Sequence, residues 1–199
     1  LDGSGTLLNL NDQTLTTKGL KVTVDDLKLQ MNSKITNLFA KPSYKIDIGA
    51  PAFNLRQMLA KLGQKIPKTA DPKTMTTVDV AASVSGSENM ISVESFKLQL
   101  DDTRMEGKFS VSSNPTPTYS FDIRVDAMDA DRYLPPKKKG SKPVAATPGA
   151  AAAALPVDLL RTMNLDGKLA VGKLKISNLR LQDIQLHAKG KDGVLTLNP

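Results

Sequence analysis

The densest run of chemically capable side chains is Asp126-Ala127-Met128-Asp129-Ala130-Asp131, three carboxylates within one short stretch. Carboxylates so spaced are hard oxygen ligands, and calcium is the ion they would suit. A helix–loop–helix calcium loop needs glycine at its sixth position and a late glutamate, and neither is present here. The simpler reading makes Asp129 the N-cap of a short helix, with its acidic neighbours against the positive end of the helix dipole. The single histidine, His187, falls on the polar phase beside Leu186 and has no nucleophile at a suggestive spacing, so it reads as a surface residue. Serines are scattered without a Gly-x-Ser-x-Gly elbow. There is no cysteine, which removes thiol catalysis, disulfides and zinc–thiolate sites. The expectation is a non-enzymatic chain with no metal and no cofactor.

Charge points the same way. The net charge of +7 would suit nucleic acid or an anionic membrane surface. The basic residues, however, alternate with apolar ones, and the only tight run is Lys137-Lys138-Lys139. Without an aromatic-interleaved basic patch, nucleic acid is not an expected partner. The lysines read as the polar face of something whose other face is apolar.

That other face is the main content of the sequence. Phe96, Leu98 and Leu100 are apolar at every second position, as are Met105, Phe109 and Val111, and then Tyr119, Phe121, Ile123 and Val125. Side chains alternate across a strand, so each run has one apolar and one polar face, the pattern of half-solvated antiparallel sheet. The same alternation places Leu27, Leu29 and Met31 on the apolar face, and likewise Tyr44, Ile46 and Ile48. Towards the C-terminus it adds Leu169, Val171, Leu179, Leu181, Ile184 and Leu186, with phase changes at Gly172 and Asn178 that suggest bulges or bends. The expected fold class is mainly β, a repetitive antiparallel sheet with short helices.

One helix is predicted near residues 54–63. Asn54 is a suitable N-cap, Leu55, Met58, Leu59 and Leu62 share a face, and Gly63 suits the C-terminal cap. Such a helix would cover one end or edge of the sheet. The strands around it are partly repeated. Leu27-Lys28-Leu29-Gln30-Met31 resembles Phe96-Lys97-Leu98-Gln99-Leu100, and Pro42-Ser43-Tyr44-Lys45-Ile46 resembles Pro117-Thr118-Tyr119-Ser120-Phe121 with about six more residues between the matches. Asn54 then falls on Asp129. The organisation expected is a first β unit at 1–76, a second at 77–136, a low-complexity mobile linker at 137–155, and a short helix with further strands at 156–199. No stretch reaches the about 18 apolar residues of a membrane span. The chain opens at Leu1-Asp2-Gly3 without Met, as if mid-pattern, and reads as an excised fragment.

The order Asp129-Ala130-Asp131-Arg132-Tyr133-Leu134-Pro135-Pro136, a Pro/Ala-rich spacer, a Leu159-Leu160 helix, Asn164-Leu165-Asp166-Gly167-Lys168-Leu169-Ala170-Val171-Gly172-Lys173-Leu174, Asp183-Ile184-Gln185-Leu186 and Lys191-Asp192-Gly193-Val194-Leu195 resembles the C-terminal part of the AsmA family of Gram-negative envelope proteins. The resemblance covers about residues 90–197 and, more loosely through the repeat, the first part. It implies an inner-membrane protein with an N-terminal anchor and a periplasmic body linked to outer-membrane biogenesis. AsmA-like proteins and their TamB-like relatives form elongated β-sheets curved into a trough with an apolar inner lining. The apolar residues named above would then be lipid-facing.

Two functions follow as expectations. The first is a module that binds or conducts phospholipid, or another acyl-chain ligand, between membranes. The second is a non-enzymatic scaffold whose open strand edges assist outer-membrane assembly factors by templating β-strands. An ordinary sandwich, in which the helices or the two units close over the apolar face, competes with both.

Overall fold

The computed structural model describes residues 5–24, 26–113, 116–136, 164–177, 179–191 and 194–198. The predicted linker and the helix expected at 156–163 lie outside these residues. Eleven strands form one sheet in sequence order. They are β1 Gly5–Asn9, β2 Thr14–Val24, β3 Leu27–Thr36, β4 Ser43–Phe53, β5 Val78–Ser87, β6 Met90–Leu100, β7 Thr103–Ser112, β8 Thr118–Asp129, β9 Asn164–Ile176, β10 Leu179–Lys191 and β11 Val194–Asn198. The chain is mainly β, and the sheet is open: β1 pairs with β2 and β11 with β10, and no ladder joins the two edges.

The sheet is not antiparallel throughout. β8 and β9 run parallel, with Thr118 opposite Asn164 and Val125 opposite Val171. β9 starts beside the beginning of β8, not beside Asp129 where β8 ends, so the two strands run in the same direction. A parallel pair requires a long crossover, whereas short connections join most of the antiparallel neighbours, and α1 with its connector joins β4 to β5. Two contacts fix the far end of this junction. Lys175 Nζ donates to Asp129 Oδ2 at 2.8 Å, and the Ser177 amide donates to Asp131 Oδ1.

Irregularities keep the apolar residues on one face. At Glu94 an extra residue enters β6, so Val93 and Phe96 pair with Phe109 and Gly107 of β7. The bulge re-phases the strand: Ile91 and Val93 before it share a face with Phe96, Leu98 and Leu100 after it. Gly19 does the same in β2, with φ of 61° and its N–H donating to Asn32 Oδ1 at 2.8 Å. In β4 the shift falls between Ala50 and Phe53, where Pro51 cannot donate to the ladder.

The helix forms as its sequence predicts. α1 spans Leu55–Lys61, and Asn54 Oδ1 accepts the Gln57 amide at 3.0 Å. Gly63 adopts φ of 66°, its N–H bonding Ala60 O while the Gln64 N–H bonds Leu59 O. These are the two reversed bonds of a Schellman ending, and the left-handed residue they need is the glycine. The expected helix after Asp129 is only a 3₁₀ turn, Ala130–Arg132, and Asp129 makes no side-chain cap bond there because its carboxylate is turned to Lys175.

A repeat-like strand organisation is visible in β4 followed by α1 and β8 followed by the 3₁₀ turn. The match of Leu27–Met31 to Phe96–Leu100 does not join equivalent strands. β3 lies beside β4, while β7 stands between β6 and β8. The longer interval between the second pair of matches holds an entire strand, β7.

Candidate functional site

Register converts the apolar phase into four rows that cross the strands. One row runs Ala50, Val80, Leu98, Met105, Val125, Val171, Ile184 from β4 to β10. A second runs Leu20, Met31, Ile48, Ala82, Phe96, Gly107, Ile123, Leu169, Leu186 from β2 to β10. The third contains Ile46, Val84, Val93, Phe109, Phe121, Gly167 and Ala188. The fourth contains Tyr44, Gly86, Ile91, Val111, Tyr119 and Leu165. Leu29 extends the same face against Val22, and Leu100 against Val78. Leu27 pairs with Val24 at the end nearest α1.

Leu179 and Leu181 stand apart from these rows. They pair with Ile176 and Leu174, and Leu174 pairs with Met128. Between them and Ile184 lies Asp183, at φ of 50°, opposite Gly172, where the ladder is interrupted. This is the phase change expected at Gly172. It separates a small cluster at the end of β8–β10 from the main face.

No second layer lies over the rows among the described residues. Buried apolar residues there are few: Ala50, Val78, Val125, Val171 and Ala188. Ile48, Ile91 and Phe109 remain exposed on the same face. α1 covers only the end of β2 and β3, where a cleft of about 180 Å³ is lined by Val24, Leu27, Phe53, Met58 and Leu62 and rimmed by Asp26 and Lys61. The competing sandwich, with helices closing over the face, is not what these residues build.

The opposite face carries charges, and in two of its central rows the register sets opposite signs side by side. Lys97, Glu106 and Arg124 lie in one row, and Lys108, Asp122, Lys168 and His187 in the next. Opposite charges directly across a sheet stabilise it, each pair by roughly 0.2–1 kcal/mol. His187 is half-buried, its Nε2 lying 2.6 Å from Asp166 Oδ1, and this hydrogen bond holds the Asp166 carboxyl below its usual range. Near the same rows Glu94 accepts from Ser85 Oγ at 2.6 Å, and hydrogen bonds from Ser85 and Ser92 lower its carboxyl in turn.

The acidic run at 126–131 is divided among separate partners. Asp126 accepts the Arg104 amide at 2.8 Å, while Asp129 and Asp131 hold β9 as described. Among the described residues no three His, Asp or Glu side chains are grouped as a metal would need.

The most elaborate polar arrangement was not legible in the sequence. Asp101, in the β6–β7 turn with φ of 51°, accepts the amides of Met75, Thr76 and Thr77 at 2.7, 2.9 and 3.1 Å. It also accepts the Tyr133 hydroxyl at 2.8 Å. Arg132 bridges Asp71 and Asp102, at 2.9 and 2.8 Å. Together they tie the connector after α1 and the segment after β8 to one end of the sheet. Burial pushes the Tyr133 hydroxyl up, and the Asp101 carboxylate beside it adds to that shift. The Arg132 guanidinium is held further above its ordinary value by Asp102 and Asp71. Its only sequence signal is the Asp-Asp pair between two strands, which reads simply as a turn.

Comparison of the chain with protein-family models, curated proteins and solved structures found no match. The functional reading rests on the geometry of the two faces.

Proposed function

We propose that this chain is a lipid-binding β-trough, the periplasmic part of an AsmA-like protein anchored in the inner membrane. Its apolar face would hold or conduct phospholipid acyl chains between membranes in support of outer-membrane biogenesis. The observation that carries this reading is the continuity of the apolar rows over the strands, with no protein layer above them among the described residues. An exposed apolar surface beyond a few hundred Å² marks a ligand, partner or membrane site. Strands of ten to thirteen residues, each rising about 3.3 Å per residue, are longer than the about 15 Å of one bilayer leaflet's hydrocarbon. An acyl chain can therefore lie along a single strand direction with its headgroup at the rim. The role is one of binding, and none of the side chains described is assigned a chemical step.

The test is extraction and native mass spectrometry of the chain purified from a Gram-negative host in detergent-free buffer. Co-purifying phospholipid at a defined stoichiometry is the expected result. A preparation free of lipid that also fails to take up phospholipid from vesicles of phosphatidylethanolamine and phosphatidylglycerol would refute the reading.

A further inference from the structure

α1 stands off the strands it covers. Met58 and Leu62 from the helix, Val24 and Leu27 from β2 and β3, and Phe53 enclose the apolar cleft of about 180 Å³. Apolar walls separated by a gap forfeit the contacts of close packing, so something must keep the helix from settling. The anchor is the connector after α1. The Arg56 amide donates to Met75 O at 3.1 Å, and its Nε donates to Thr74 O at 2.6 Å. Asp101 holds the Met75 amide in turn. The helix is thus held by the connector, and the cleft is preformed.

The cleft continues into the apolar face. Beyond the Val24 and Leu27 pair, Val22 pairs with Leu29 and Leu20 with Met31 along the same two strands. Leu20, Val22 and Val24 are all exposed. At about 3.3 Å per residue, this strip runs about 13 Å from Val24 to Leu20. Strip and cleft together match the about 15 Å of one leaflet's hydrocarbon.

The rim of the cleft carries one charge of each sign. Lys61 Nζ lies 3.7 Å from Asp26 Oδ2, and both side chains are well exposed. At that separation the two groups attract without a direct hydrogen bond. A cation and an anion beside an apolar strip are the counterparts of the phosphate and ammonium of a zwitterionic headgroup. An anionic glycerol headgroup would offer a phosphate to Lys61 and no cation to Asp26. A choline headgroup has no N–H to donate to the carboxylate.

We propose that the cleft beneath α1 takes an aminophospholipid, its phosphate on Lys61, its ammonium on Asp26 and one acyl chain lying along the β2–β3 strip. The inference rests on the reading of the apolar face as a lipid site, and adds to it the headgroup class and the end of the sheet where that headgroup sits.

Uptake from vesicles of equal phosphatidylethanolamine and phosphatidylglycerol, read by native mass spectrometry of the whole chain, tests it. Retained lipid should be enriched in phosphatidylethanolamine by about twofold to fivefold, the strength of an exposed ion pair. Asp26→Asn should return the ratio to that of the vesicle, and Lys61→Gln should lower retention of both lipids. Phosphatidylethanolamine with a photoactivatable group near the glycerol end of its acyl chain should label Val24, Leu27, Met58 or Leu62 in the unaltered chain. That readout needs no variant. Equal retention of the two lipids by the unaltered chain would overturn the proposal. So would a preference that survives Asp26→Asn, or labelling confined to β6–β9. In each of those cases lipid is still bound, and the trough reading stands without the cleft. A chain that takes up no lipid overturns both.

Discussion

The ring of Phe121 lies over Gly167, its register partner on the parallel neighbour β9. A Cβ at Gly167 would overlap that ring. Tyr44 and Gly86 repeat the relationship between β4 and β5. In each pair an aromatic side chain fills the space a glycine leaves on the apolar face, which keeps the ring flat against the sheet. Gly167→Val should therefore expel the Phe121 ring or separate the strands. The expected loss is about 1–3 kcal/mol in urea denaturation, typical of overpacking. A stability equal to that of the unaltered chain would show that the ring has somewhere else to go.

The Asp101 knot predicts a specific acid sensitivity. Burial acts to raise the Asp101 carboxyl, but hydrogen bonds from Met75, Tyr133, Thr77 and Thr76 outweigh it and leave it below its ordinary value. Asp71 is lowered too, by the Lys73 amide first and Arg132 next. A carboxyl depressed in the folded state contributes stability above its unfolded pKa of about 4, and that contribution is lost as pH falls through the folded value. Hydrogen exchange at Met75, Thr76 and Thr77 should thus be slow at neutral pH, after correction for the intrinsic rate, and accelerate below about pH 4. Asp101→Ala should make it fast at every pH and cost about 1–3 kcal/mol, since it leaves three amides without their acceptor.

The apolar phase was readable because a strand's period of two survives any error in boundaries. Asn54 and Gly63 were readable because capping is local chemistry. What escaped the reading depends on remote partners or on single insertions. The bulge at Glu94 changes phase within β6, so Ile91 and Val93 fall out of step with the alternation of Phe96, Leu98 and Leu100. The parallel β8–β9 junction leaves no mark on alternation, because it is set by where the returning chain lands. Asp101 and Tyr133 are far apart in sequence, and neither residue alone indicates the other. The match between β3 and β6 failed for a related reason: similar alternation says nothing about how many strands intervene.

The ends of α1 offer a separable test of local against tertiary stability. Asn54→Ala removes the acceptor of the Gln57 amide and should cost about 1 kcal/mol. Gly63→Ala forces a side chain into φ of 66° and should cost a similar amount. α1 covers only the β2–β3 end, so both losses should appear as faster exchange in α1 and at Val24 and Leu27. Strands β6–β10 should keep their protection. Equal loosening across the sheet would mean that α1 supports the entire fold.

The face assignment is tested where substitution disturbs folding least. Ile48 and Phe109 are exposed on the apolar face, in different rows, and belong to strands that are not neighbours. A carboxylate at either position remains hydrated in the free protein, so Ile48→Asp and Phe109→Asp should stay folded. The same carboxylate would have to lose its water beneath an acyl chain, a penalty large enough to expel the chain. Each substitution should then reduce retained phospholipid severalfold with little change in melting temperature. Lys45, paired with Lys34 and Ser85 on the charged face, serves as the control, and Lys45→Ser should leave retention unchanged. Equal loss from both faces would mean that lipid is held by the sheet's general adhesiveness and not by these rows. Loss from Lys45→Ser alone would place the ligand on the charged face, with its phosphate as the recognised group.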